Sequence, residues 1–251
     1  MADPPRALIL GGTAEAVALA YAAAENFNIT YSLAGRTRNP SHPDNVTIRT
    51  GGFGGVAALS AWILTRDIDL VVDATHPFAE QISLNTYSAC EATGTPRLRL
   101  LRPAWDAVAG DIWHHADNIA DSAHKLAEHG TAAFLSVGRQ ELGAFAILDD
   151  MNFLIRTVDP LDTVPLLKST CITGRGPFSV YQETALLKAH GIDVVVSKNA
   201  GGDATYAKII AARNLGLPVI MIDRQPPVSG DTVDNVDLAL EWMGIHRRGL
   251  R

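Results

Sequence analysis

Short apolar runs of strand length alternate along this chain with longer stretches in which apolar residues return at helical spacing. In the first half, residues 7–10, 29–33, 46–49, 69–72 and 96–101 read as strands, with helices over 14–25, 56–65 and 80–93. Residues 103–111 carry Pro and Gly without a clear period and read as a linker. A second alternation follows. Its strands are 132–136, 152–158, 170–173, 193–197 and 219–222, with a short helix over 141–147 and longer ones over 179–190, 206–215 and 233–243. Strands separated by helices call for parallel sheets with crossover helices, the α/β class. The two halves look alike in architecture without a sequence repeat. They predict a first domain over 1–102 and a second over 112–251.

The length of 251 residues suits two such cores. A formal charge of −6 argues against non-specific binding to nucleic acid or to an anionic membrane, so an anionic ligand must meet a local cluster of cations. No apolar run is long enough to span a bilayer, and the first residues lack a hydrophobic signal region; the expected location is the cytoplasm. Cys90 and Cys171 each lie in an apolar setting without a CxxC partner, and both are expected to be buried reduced thiols, with no metal site.

"LILGGTAEAVALA" is a strand, a glycine turn and a helix. Gly11 and Gly12 allow a tight turn and let a phosphate approach the helix N-terminus. Thr13 stands where a dinucleotide fingerprint has its second glycine, so the stretch reads either as a nucleotide site or as a plain turn. "LAGRTR" ends the second strand, where an NAD-binding domain carries an acid for the ribose. Arg36 there suits a 2′-phosphate, with Thr37 as a hydroxyl donor; the other reading is a solvated arginine. In "GGFGG" the glycines around Phe53, Gly52 among them, bring backbone close to something. Phe53 packs either on a flat ring or on a local core. "VVDATHPFAEQ" places Thr75, His76, Pro77 and Phe78 at the ligand edge of the fourth strand, with Asp73 orienting the loop. His76 is a candidate proton donor, a ligand-lining residue or a structural histidine.

In the second half cations recur just past strand ends. Ser136 leads to Gly138, Arg139 and Gln140; Thr173 leads to Arg175, Gly176 and Pro177; Ser197 leads to Lys198 and Asn199; Ile222 leads to Arg224. The ends of parallel strands share one edge, so these cations gather on one crest, suited to a molecule with several carboxylates or phosphates. Arg102 ends the last strand of the first half and is assigned to the same ligand.

"LGGTAEA", "LAGRT", "GGFGG", "DATHPFA", "RPAW", "GRGPF", "SKNAGG" and "AKI" occur in the order found in precorrin-6A reductases and the cobalt-precorrin-6A reductases of the anaerobic cobalamin pathway. The chain resembles that family over nearly its whole length. The resemblance implies two Rossmann-like three-layer domains with mostly parallel sheets and a ligand cleft between them, with a strand exchanged between the halves. It implies NADPH as cofactor and reduction of one macrocycle double bond of precorrin-6A to give precorrin-6B. The substrate would be a small-molecule tetrapyrrole with several carboxylates, which accounts for the cations, with Lys208 of "AKI" added to the substrate contacts. Transient contact with neighbouring pathway enzymes belongs to the same expectation. Asp223 departs from the pattern, where a small residue is expected before Arg224. The rival readings are the cobalt-containing substrate, another polyanionic substrate, a nucleotide-sugar transferase, and a module that senses NADPH without turnover.

Overall fold

The computed structural model describes residues 3–35 and 42–249. In chain order the elements are β1 (Arg6–Leu10), α1 (Ala14–Ala23), β2 (Asn28–Leu33), β3 (Thr47–Thr50), α2 (Val56–Thr65), β4 (Leu70–Asp73), α3 (Glu80–Thr93) and β5 (Arg97–Leu100). There follow β6 (Trp113–Ala116), α4 (Ile119–Leu126), β7 (Ala132–Ser136), a 3-10 helix (Arg139–Ile147), β8 (Asn152–Thr157) and β9 (Ser169–Thr173). The last are α5 (Val180–Ala189), β10 (Val194–Lys198), α6 (Ala207–Leu215), β11 (Val219–Ile222), β12 (Thr232–Val233) and α7 (Val236–Gly249). Among the described residues no helix is long and apolar enough to cross a membrane.

The chain divides into two Rossmann-like units. The first comprises Met1–Pro103 with Pro226–Arg251, the second Ala104–Gln225. The first holds a six-stranded sheet in the order β12-β5-β4-β1-β2-β3, every pairing parallel. Its central strands are buried on both faces, which is why "ALIL" and "LVV" read as unbroken apolar runs. One face packs against α1 and α7, the other against α2 and α3. The second unit holds the order β6-β11-β10-β7-β8-β9, again parallel throughout. Here α5 and α6 cover one face through Leu187, Ile209 and Ala212.

Two expectations about domain limits are corrected. Residues 226–251 belong to the first unit, not the second. β12 adds to β5, with Thr232 opposite Arg99 and Val233 opposite Leu100, and α7 buries Ala239 and Met243 in the core of Leu98, Leu100 and α1. Residues 104–111 are not a free linker. Trp105 packs tilted against the Tyr206 ring, and Asp111 accepts two hydrogen bonds from Arg213, at 2.8 and 3.1 Å. The pattern also passes over β6, α4 and β12. β6 reads Trp-His-His-Ala, which lacks apolar alternation, and β12 is two residues long. Asn118 caps α4 by accepting the Asp121 N–H at 2.9 Å, but an eight-residue helix offers little periodicity to read.

Cys171 is exposed on edge strand β9, against the expectation of burial. An edge strand leaves alternate side chains in solvent whatever their hydropathy. Cys90 lies on the buried face of α3, and burial pushes its thiol up to about 12.

Candidate active site

The turn between β1 and α1 is built around Tyr31. The Gly11 N–H donates to Ser32 O at 2.9 Å, and the Gly12 N–H to Tyr31 Oη at 3.2 Å. A Cβ on Gly11 would lie 2.1 Å from Tyr31 Cζ, and Gly12 has φ +119. Both glycines are thus required by local geometry. Thr13 caps α1 by accepting the Ala16 N–H at 3.1 Å, and its hydroxyl donates to Ala74 O at 2.9 Å, tying the turn to the end of β4. Gly11→Ala is expected to destabilise the first unit by about 3 kcal/mol, because the fully buried Tyr31 has no room to retreat. Urea unfolding measures this, and pairing the change with Tyr31→Val should restore most of the loss.

At the end of β4, Asp73 is fully buried and forms an ion pair with Arg99 of β5, its cross-strand neighbour. Asp73 Oδ1 accepts from the Thr75 N–H at 3.2 Å and from the Thr75 hydroxyl at 2.7 Å. Arg99 donates to Thr75 Oγ1 and Ser83 Oγ, each at 2.9 Å. Thr75 is thereby buried and its loop is set by four polar groups. His76 is half-buried; its Nδ1 accepts the Phe78 N–H at 3.3 Å, and the two rings lie 5.9 Å apart. An accepting Nδ1 puts the proton of the neutral ring on Nε2. Thr13, Thr75, Pro77, Leu101 and Arg102 line a shallow depression beside this loop. Arg102 donates at 2.9 Å to Glu15 in the first turn of α1.

At the "GGFGG" stretch the local packing is observed. The Arg49 guanidinium lies 3.6 Å over the Phe53 ring, and Trp62 meets that ring edge-on at 5.5 Å. Arg49 also donates to the carbonyls of Gly51 and Gly52 and to Ser32 Oγ. Partial burial lowers its pKa. Arg36 and Thr37 lie outside the described residues.

In the second unit the ends of β7, β9, β10 and β11 bring their cations to one sheet edge, and Lys198 and Arg139 meet carboxylates there. Lys198 Nζ lies 2.5 Å from Glu141 Oε1, and Glu141 Oε2 accepts the Gly138 N–H at 2.7 Å. Arg139 Nη2 is 3.9 Å from Asp159 Oδ2. Arg224 donates through Nε to Asn199 O at 2.7 Å. Gly138, Arg139, Gln140, Arg175 and Pro177 are exposed; Ser136 and Gly176 are half-buried, and the Gly176-Pro177 bond is cis. Asp223 is engaged by His115 Nδ1 at 2.9 Å.

Three residues expected to contact substrate are buried. Ser197 is fully buried and bonds the Lys198 carbonyl at 3.2 Å. Asn199 accepts the Trp105 N–H at 2.7 Å and donates to the Trp105 carbonyl at 2.9 Å, so its amide is spent on the backbone. Lys208 is 3% exposed and donates to Thr205 O at 2.8 Å. Sequence reading missed Arg99, Glu141, Arg156 and Glu183. For Arg99 a signal existed: alternate arginines in "RLRL", a strand with every residue buried, require a buried acid on a neighbouring strand.

The family model described as "Precorrin-6x reductase CbiJ/CobK" matches residues 6–244. The chain belongs to that family. A "Precorrin-6A reductase" of Rhodococcus erythropolis is 48% identical over 242 residues, covering 95% of this chain and 97% of the relative. A "Cobalt-precorrin-6A reductase" of Priestia megaterium is 31% identical over 186 residues, covering 70% of this chain and 72% of the relative. The solved structure of "CobK precorrin-6A reductase" superposes with a TM-score of 0.90 at 40% identity, covering 96% of this chain and 97% of that one. Membership accounts for the two Rossmann-like units and makes the protein a reductase.

Proposed function

We propose that this protein reduces a ring double bond of precorrin-6A with NADPH, giving precorrin-6B in cobalamin biosynthesis. The observation that carries the reading is the family match across residues 6–244. Higher identity and fuller coverage toward the cobalt-free reductase than toward the cobalt-precorrin one favours the cobalt-free substrate. A reductase of this family calls for a nicotinamide cofactor. NADPH is the finer assignment, and it rests on Arg36 and Thr37 as the 2′-phosphate partners.

The turn suits a dinucleotide. A Cβ on Gly12 would meet only open space, so the backbone is approachable, and the first N–H groups of α1 lack intrahelical acceptors. Gly11, Gly12 and Thr13 then present backbone to the pyrophosphate, and Arg102 offsets the Glu15 carboxylate nearby. Gly52 and Phe53 flank the adenosine side, while Thr75, Pro77 and Phe78 border the nicotinamide. NADPH, when bound, supplies the hydride. His76 is the candidate donor of the proton that the reduced ring takes up: it gives the Nε2 proton as an imidazolium, protonated also at Nδ1 in place of the Phe78 N–H contact, and returns to the neutral ring. Arg139, Arg175, Lys198 and Arg224 bind substrate carboxylates, with Glu141 and Asp159 giving way to them. Their contribution is positioning, because the hydride chemistry belongs to the cofactor.

The test is loss of reduced-nicotinamide absorbance with purified protein and precorrin-6A, NADPH run beside NADH. Turnover with NADPH and little with NADH is expected. Arg36→Ala should lower the NADPH preference by about ten- to a hundredfold, the worth of one charge-assisted hydrogen bond. An unchanged preference would remove Arg36 from the cofactor site, and no turnover with precorrin-6A would overturn the substrate.

A further inference from the structure

The second unit buries a charge cluster that the proposed chemistry does not use. Arg156 of β8 and Glu183 of α5 pair through both their polar ends, Nη1 to Oε1 at 2.5 Å and Nη2 to Oε2 at 2.9 Å, with side chains 7% and 2% exposed. The Arg156 guanidinium lies 3.8 Å over the Phe178 ring. Next to the pair, Lys208 enters from the first turn of α6. Its Nζ donates to Thr205 O and sits 5.2 Å from the centre of the Trp105 ring. Trp105 is fastened to the loop that follows β10. Its Nε1 donates to Gly202 O at 2.8 Å, and its backbone exchanges two hydrogen bonds with the Asn199 amide. The loop is gripped at Asn199, at Gly202 and at Thr205, and the last grip belongs to Lys208.

We infer that Lys208 is a positioning residue: its Nζ, held against the Trp105 ring and the Thr205 carbonyl, fixes the loop of residues 199–205 and with it Lys198 at the end of β10. A lysine this deeply buried can govern the order of the loop that follows Lys198. Its protonation matters to that grip: the neutral amine donates to Thr205 O as the ammonium does, and only the ammonium carries the cost of a buried charge, which the indole face offsets in part. Burial pushes its pKa down to about 7; Arg156 pushes the same way, and Glu183 opposes. Beyond the Trp105 ring lie Tyr206, Arg213 and Asp111, joined by hydrogen bonds, and Asp203 of the same loop is exposed. The held lysine binds its proton more weakly than one in solvent, so protonation favours release: as pH falls through neutrality the loop loosens from Trp105.

Tryptophan emission of the full chain from about pH 6 to about pH 9 tests this without substrate. The wild type should show a transition near neutral pH. It should vanish in Lys208→Met, which keeps the bulk, and in Lys208→Arg, which keeps a charge that does not titrate. Trp105→Phe should also abolish it, assigning the signal to that ring. A transition that survives in all three variants, or none in the wild type, overturns the inference. The kinetic arm rests on the proposed function. The KM for precorrin-6A should rise severalfold as pH falls from about 9 to about 6 with kcat steady, and Lys208→Arg should make KM flat. A lysine that served stability alone would leave KM independent of pH. Absence of turnover would count against the substrate assignment, and the emission result would stand by itself.

Discussion

Arg99→Met is expected to destabilise the first unit by about 3–5 kcal/mol, because it leaves the Asp73 carboxylate buried without its counter-charge. Asp73 has no exposure and Arg99 almost none, so water cannot replace the guanidinium without opening the end of β4. The same change strips donors from Thr75 Oγ1 and Ser83 Oγ. Urea unfolding measures the total, and hydrogen exchange across residues 70–75 and 97–100 locates it. The double variant Asp73→Asn with Arg99→Met should recover a large part of the loss, since removing both partners leaves no unpaired charge. A loss below about 1 kcal/mol would mean that water reaches the pair and that it behaves as a surface bridge. In the proposed reading the variant also frees the loop that carries His76, so turnover should fall more than stability alone accounts for.

The second large effect is expected from Glu183→Gln in the second unit. The substitution is nearly isosteric, so packing around Phe178 and Leu187 is preserved and the charge alone is removed. Arg156 and Lys208 are then two buried cations with no acid between them. The expected loss is about 3–5 kcal/mol at pH values where Lys208 is charged. The pH dependence has a definite sign. Lys208 binds its proton more weakly in the folded chain, pushed down to about 7, than in the unfolded chain, where an ordinary lysine holds it to 10.5. Between those values the unfolded state carries the extra proton, so this group makes stability rise with pH across that window, with its full penalty below it. Removing Glu183 depresses the Lys208 pKa further. The variant should therefore lose most at acidic pH and less toward pH 9, where only Arg156 is left unpaired. Denaturant titrations at two pH values check this; a loss equal at both would show that Lys208 does not feel Glu183.

How much of this was legible beforehand differs from residue to residue. The strands of both sheets showed as apolar runs because a central parallel strand is buried on both faces, and burial leaves its mark directly on composition. Gly11, Gly12 and the loop after Asp73 were recognisable as sharing one sheet edge, because parallel topology puts every strand's C-terminal end on the same side. The gathering of Arg139, Arg175, Lys198 and Arg224 followed from the same rule.

What those cations do to one another was not legible. Lys198 meets Glu141 from a distant part of the chain, Arg99 meets Asp73 across a strand pair, and Arg156 meets Glu183 from a helix. Charge pairing and desolvation depend on separations in space and on what excludes water, and one-dimensional spacing carries neither. The same reason hid the burial of Lys208 and Asn199 behind a motif that reads as polar and exposed. It also hid the return of residues 226–251 to the first unit, since two residues of strand and a helix declare their partner only through the face they cover. By itself, then, the sequence determined the α/β class, the parallel strands and the sheet edges at which the candidate site residues gather. Tertiary structure alone decided which charges are paired, which are buried and to which core the C-terminal helix belongs, because each of those is a property of the space between elements.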